Sequence, residues 1–275
     1  MGEQDYLSLL ERLCEDGESV PNRDGVGSLR LFGERVVFDL TEGFPLLTES
    51  QVSFKALAEE LLWYISGDTN LDSLGEQGSR YWAQYADSQG SVGPLYGEQW
   101  RKWGQEASGI AVDQLRDVVW RLTNTLDPAT LLLTAWNPAY LPDTDLDPCS
   151  NPSQGRMAIE PRDCMVQFHR SEDGLLDCQV YTTSSEALQA LPKSIATYAL
   201  LTHLIAQVSG LKPGRLVNVV GRLWVAETEV KKATRRAEGP LSDHSELKLN
   251  KVVDSIEDFV YNAIQIVSVV GEAGE

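Results

Sequence analysis

The sequence predicts an α+β fold, a three-layer arrangement in which helices pack on a mixed β-sheet. Helical and strand-like periodicities are interleaved without a strict strand–helix–strand order. No internal repeat, low-complexity block or Gly/Ser/Pro-rich linker divides the 275 residues, so one domain over 1–275 is expected. Apolar residues make up 42% and charged residues 23%, the mix of a soluble globular chain with a large core.

Tyr6, Leu9, Leu10 and Leu13 recur at helical spacing, and Gly17 follows as a stop. Residues 28–39 alternate like a hairpin turning at Gly33-Glu34. Val52–Ile65 reads as a long helix ending at Gly67, and 111–124 as another with Leu115, Val118, Val119 and Leu122 on one face. The continuous apolar run Thr130–Trp136 predicts a buried strand. Met165–Phe168 and Leu175–Tyr181 predict two strands joined by a turn at 171–174. Ile195–Val208 is a strongly apolar helix. Leu216–Val220 reads as a strand and Leu223–Ala237 as a helix carrying the basic run KKATRR. Strand-like runs at 247–253 and 259–270 follow. Residues 150–161 (SNPSQGRMAIEP) are turn-rich and predict a surface loop or lid.

The net charge of −18 disfavours binding to a nucleic-acid polymer or an anionic membrane surface, though a local basic pocket for one small anion remains compatible with it. No apolar run is long enough to span a bilayer, and the acidic N-terminus lacks the features of a signal peptide. Cys14, Cys149, Cys164 and Cys178 form no CxxC pair, and His169, His203 and His244 complete no zinc pattern, so no metal is expected. Sparse, unpaired cysteines suit a reducing cytoplasm.

The local motifs are individually weak. NRDGVG (22–27) can hold a phosphate on its backbone N–H groups, but a plain turn explains it more simply. Glu60, beside Leu61, Leu62 and Trp63, has the surroundings of a buried acid/base, whereas Glu59 suits a solvated face. Trp82, Tyr85, Tyr96, Trp100 and Trp103 can wall a pocket for a planar ring, but such a stretch is more often simply core. Cys149, in a polar loop after Pro148, is a nucleophile if a cation or dipole lowers its pKa and an inert thiol otherwise. His203 and the basic run at 231–236 read as a core residue and a solvated face.

Taken together, DGVGSLRLFG, EGFPLLTES, EELLWYISGDTNLDSL, YWAQYADSQGSVGPLYGEQWRKW, TAWNPAYL, LDPC, CQVYTTSSEALQALPKSIATYALLTHLIAQ and DSIEDF resemble, in order and spacing, the thymidylate synthase family with its pyrimidine nucleotide hydroxymethylases. The resemblance runs from about residue 4 to 270. It implies a thymidylate synthase-like homodimer packed through its sheet, with a cleft for a pyrimidine nucleotide or nucleoside beneath 5,10-methylenetetrahydrofolate. In that chemistry a cysteine thiolate adds to C6, C5 becomes enolate-like, and it captures a one-carbon unit. The resemblance implies Glu60, Cys149 and Tyr96 as catalytic residues. It places Arg23, Trp82, Ser184, Ser194, Arg162 and Gln167 on the substrate, and Trp82, Tyr85 and Glu186 on the folate.

The departures are as informative. Two phosphate arginines fall at Ala129 and Thr130, and a third at Thr183. The base-reading asparagine falls at Ser194, the folate-side aspartate at Glu186, the sugar-binding pair at Trp224 and Ala226, and a folate-tail lysine at Ser50. VVGEAGE does not match the family's closing segment. Each lost charge-assisted contact is worth ~1.5–3 kcal/mol. Arg162, Lys193 or Arg222 are candidates to replace them. Counted forward from AWN, the nucleophile is Cys149. Counted back from VQF, it is Arg162, with Asp163 in place of a histidine. Residues 150–161 then form an insertion that permits both counts, and Cys164 is a third candidate. Three readings follow: one-carbon transfer to C5 of an altered substrate, different chemistry without a cysteine nucleophile, and a non-catalytic nucleotide-binding partner.

Overall fold

The computed structural model describes residues 2–21, 26–47, 53–104, 109–125, 129–242 and 244–269. Six strands form a mixed sheet in the order β1-β2-β6-β5-β4-β3: β1 (Glu18–Pro21), β2 (Gly27–Asp39), β3 (Leu131–Thr134), β4 (Asp163–Arg170), β5 (Leu175–Glu186) and β6 (Lys212–Ala226). β7 (His244–Leu249) and β8 (Ile264–Val269) form a separate antiparallel pair. The α+β class expected from the sequence is therefore the one observed.

Seven α-helices occur among the described residues: α1 (Glu3–Asp16), α2 (Phe54–Ser66), α3 (Glu76–Trp82), α4 (Tyr96–Lys102), α5 (Gln114–Asn124), α6 (Ala190–Val208) and α7 (Val230–Ala237). Ser53 caps α2 by accepting from the Ala56 N–H, and Gly67 ends it in the left-handed conformation at φ 74°. α6, buried on nearly every side, is the crossover between the parallel strands β5 and β6. The core runs from Leu10 and Leu13 of α1, through Leu57 and Leu61 of α2, to Ile195 and Leu201 of α6.

Three expectations are corrected. Residues 28–39 are one continuous strand: β2 pairs along its length with β6, from Ser28↔Ala226 to Asp39↔Arg215. Pairing with β6 rather than with itself lets Val36 and Phe38 enter the core. Residues 223–226 continue β6, because Leu223 and Val225 are both fully buried with strand periodicity; the helix begins only at Val230. Residues 150–161 are no free lid. The Met157 N–H donates to the Tyr140 carbonyl (2.8 Å), the Ala158 N–H to the Val92 carbonyl (3.0 Å), and both side chains are buried.

The burial phase of β6 changes at Gly221. Leu216, Asn218 and Val220 are buried upstream, but Leu223 and Val225 downstream. A Cβ at Gly221 would lie 2.8 Å from the Thr183 carbonyl, so the strands approach too closely there for a side chain. Beyond this point Arg222 and Trp224 face an open cleft. No helix among the described residues is long and apolar enough to cross a membrane.

Candidate active site

Two cavities adjoin at the end of the sheet. The outer cleft, about 670 Å³, lies between the ends of β2, β5 and β6 (Ser28, Arg30, Ser184, Glu186, Arg222, Trp224) and the chain from Pro142 to Arg162. The inner pocket, about 30 Å³, lies between α2, α3, α4 and α6. It has room for about one or two waters, not for a pyrimidine ring. Ile159 and Arg162 line both cavities and so form the partition between them.

Glu60 is on the buried face of α2 with Leu57 and Tyr64, at i−3 and i+4. It is only 7% exposed. Lys193 Nζ, from the first turn of α6, donates to both carboxylate oxygens, at 2.9 Å to Oε1 and 2.7 Å to Oε2. The Tyr64 hydroxyl donates to Oε1 at 2.6 Å. Burial, then Glu60's charge, holds the Tyr64 phenol well above its ordinary pKa, so it remains a donor. The Lys193 ammonium also sits 4.8 Å from the ring centre of Tyr81.

Tyr96 lies beside Tyr64 with ring centroids 4.9 Å apart, and its hydroxyl accepts from the Asp163 N–H at 3.4 Å. Burial, with Asp163 next, raises its pKa. The Asp163 carboxylate is itself fixed: Oδ1 accepts from the hydroxyls of Thr182 (2.6 Å) and Ser194 (3.1 Å). Ser194 therefore lies in the inner pocket, where Asn218 also donates to it.

Arg162 precedes β4. The Thr183 N–H and hydroxyl both donate to its carbonyl, at 2.8 and 3.3 Å, and so hold the Arg162 backbone. Its guanidinium donates to no side chain or carbonyl among the described residues. Burial opposes its charge, but Asp163 and the hydroxyls of Tyr96, Tyr81 and Tyr64 outweigh that, and its pKa is raised.

No cysteine sulfur lines either cavity among the described residues. Cys149 sits in a short 3₁₀ turn, Pro148–Ser150, and is exposed. Cys164, on β4, and Cys178, on β5, are buried, and burial raises both thiol pKa values, that of Cys178 to about 12. Of the remaining expected residues, Ser184 lines the outer cleft, its Oγ accepting from Arg222 Nε at 3.0 Å. Glu186 lines it too, while its carboxylate accepts from the Leu188 and Gln189 N–H groups at the start of α6. Trp82 walls the inner pocket with its Nε1 buried and unpartnered, and Tyr85 packs edge-on against it outside both cavities. Gln167 is exposed on β4 and in neither cavity. Arg23 and Ser50 lie outside the described residues. Ala129 and Thr130 are exposed ahead of β3.

The sequence reading did not single out Tyr64, Tyr81 or Arg30. Tyr64 is four residues after Glu60 in a helix, which was a usable signal. The Lys193–Glu60 pair joins residues 133 apart and had only the oddity of a lysine in an apolar helix to announce it. No cluster of His, Cys, Asp and Glu among the described residues could hold a metal ion. Compared with known proteins, the chain matches the family model described as thymidylate synthase over residues 4–269.

Proposed function

Because this chain belongs to the thymidylate synthase family, whose chemistry is folate-dependent one-carbon transfer to C5 of a pyrimidine, we propose that it transfers such a unit to a pyrimidine nucleotide held in the outer cleft, without a cysteine thiolate. The observation that carries this reading is the placement of Arg162. It stands where the two cavities meet, while Cys149 is exposed in a turn that contributes only Pro148 to the cleft lining.

The cleft has the size of a ligand site. Arg222, Ser184 and Arg30 offer donors to a phosphate at the strand ends. Trp224, Leu146, Pro142 and Ile159 offer apolar surface to flat rings, so the residues present fit a folate beside a nucleotide, with Glu186 at the same wall. Methylenetetrahydrofolate, when bound, supplies the one-carbon unit. Glu60 manages protons from behind the Arg162 partition, and Lys193 and Tyr64 hold its carboxylate. Residues 150–161 serve as an insertion in one domain that builds the outer wall of the cleft.

A homodimer completes this reading. Met165, Gln167, Gln179, Tyr181, Val217 and Val219 are neighbours in register on the uncovered face of the sheet and are exposed or half-buried. Sedimentation at micromolar concentration tests it: a dimer is expected, and a monomer contradicts it. A cytoplasmic location suits the four free cysteines; a protein recovered from an oxidising compartment with these thiols paired would contradict it.

The test is transfer of labelled methylene from the folate to a panel of pyrimidine nucleotides, with and without ring-borne charge. Transfer is expected from the wild type and from Cys149→Ala, and is lost in Arg162→Ala and Glu60→Gln. Abolition by Cys149→Ala contradicts the proposal. The double hydrogen bond of Lys193 to Glu60 favours a second reading, a nucleotide-binding protein without turnover. Binding without transfer to any nucleotide of the panel supports that one.

A further inference from the structure

Two groups of cationic and hydroxyl donors occupy different depths of the outer cleft. At the strand ends, Arg222 is exposed and held by Ser184, and Arg30 donates to Ser28. Deeper, Arg162 stands beside Asp163 at the partition with Ile159, half-buried, ahead of a pocket walled by Tyr81, Trp82 and Tyr96.

The charges near Arg162 are already engaged. Lys193 and Glu60 neutralise each other. Asp163, its sequence neighbour, has Oδ1 committed to the hydroxyls of Thr182 and Ser194, so its charge supports the guanidinium without a hydrogen bond to it. The Arg162 guanidinium has no acceptor among the described residues, yet its five donors are partly withdrawn from water. Such a group is suited to a planar anion that can accept two parallel hydrogen bonds.

A nucleotide whose phosphate meets Arg222 and Ser184 at the mouth turns its base toward the deep end. On that ground we propose that the substrate is a pyrimidine nucleotide whose ring bears its own anionic group, a carboxylate or an oxyanion, and that Arg162 binds that group. This rests on the nucleotide-binding reading above and narrows it. It also bears on the missing thiolate in chemical terms. Where the group is an oxyanion conjugated to C5, the ring needs no added nucleophile to make that carbon electron-rich, whereas a carboxylate keeps its charge on its own oxygens and supplies only the contact to Arg162.

The test is calorimetric titration of the wild type, Arg162→Gln, Arg162→Lys and Arg222→Gln. The ligands are uridine 5′-monophosphate, orotidine 5′-monophosphate, 6-hydroxyuridine 5′-monophosphate and the phosphate-free nucleoside orotidine. The wild type is expected to bind a ring-anion nucleotide about tenfold or more tighter than uridine 5′-monophosphate. Arg162→Gln removes that preference, Arg162→Lys keeps part of it, and Arg222→Gln lowers affinity for every phosphorylated ligand while leaving the preference intact. Thermal melts show which variants are folded, and the wild-type comparison stands without them. Equal wild-type affinity for charged and uncharged rings overturns the inference and leaves the nucleotide reading standing. So does a loss in Arg162→Gln that follows the phosphate rather than the ring charge. Failure of every nucleotide to bind folded wild type overturns both.

Discussion

Lys193 Nζ donates to both carboxylate oxygens of Glu60, at 2.7 and 2.9 Å, across 133 residues of sequence. The two side chains are unequally buried, 9% exposed for Glu60 and 24% for Lys193. Removing the lysine therefore strands the more buried charge. Lys193→Met is expected to destabilise the fold by about 2–4 kcal/mol. Glu60→Gln should cost only about 1–2 kcal/mol, since Tyr64 keeps a partner and the ammonium can turn toward water. Urea unfolding of both single variants and the double variant checks this. Additive losses would show that the pair is not coupled, and equal losses in the two single variants would contradict the asymmetry of burial.

His203 lies in α6 with its Nε2 buried and unpartnered and its ring 6.0 Å from that of Phe44. Burial lowers its pKa from 6.5 to about 4. Above pH 6.5 the group is neutral in both folded and unfolded chains and contributes no pH dependence. Between 6.5 and about 4 only the unfolded chain binds the proton, so stability falls as pH falls across that window, by about 3 kcal/mol at most. His203→Phe should flatten this part of the pH–stability curve. An unchanged slope would assign it to other groups.

The thiols should separate by accessibility and pKa. With iodoacetamide under native conditions, Cys149 is expected to react first and Cys178, whose pKa is pushed up to about 12, last. Peptide mapping gives the order. Protein alkylated at Cys149 alone should still bind nucleotide in the outer cleft, and loss of binding would bring Cys149 into the site.

Gly93 has φ 73°, and a Cβ there would lie 2.0 Å from the Arg156 carbonyl. That carbonyl belongs to the segment that continues through Ala158 and Ile159 into Arg162. Gly93→Ala is expected to destabilise by about 2 kcal/mol or more and to weaken nucleotide binding, because the cleft wall must shift. Thermal melts and titration calorimetry read the two effects. Unimpaired binding would separate this segment from the site.

The periodicities that marked α1, α2, α5 and α6 are properties of single helices, and these were legible within a turn or so at each end. The 28–39 strand was misread because Gly33 at φ 82° looks the same in sequence whether the chain turns back or runs on to pair with β6. The surroundings of Glu60 were legible from its apolar neighbours on one helix. Its partner was not, because a lysine 133 residues away becomes a neighbour only when α6 packs on α2. The choice between Cys149 and Arg162 hung on a count across 150–161. Met157 and Ala158 are pinned to Tyr140 and Val92, which leads the chain back into the cleft at Arg162 and leaves Cys149 exposed; our proposal rests on that placement.

The central claim is that no thiol of this protein attacks the pyrimidine. Intact-mass spectrometry tests it most directly, on protein saturated with a 5-fluoropyrimidine nucleotide and methylenetetrahydrofolate, with occupancy established by calorimetry. The 5-fluoro substituent blocks loss of a proton from C5, so a thiolate joined to C6 would stay joined. The expected result is an unshifted protein mass at full occupancy. A stable adduct that maps to Cys149 would contradict the account and return this chain to thiolate chemistry.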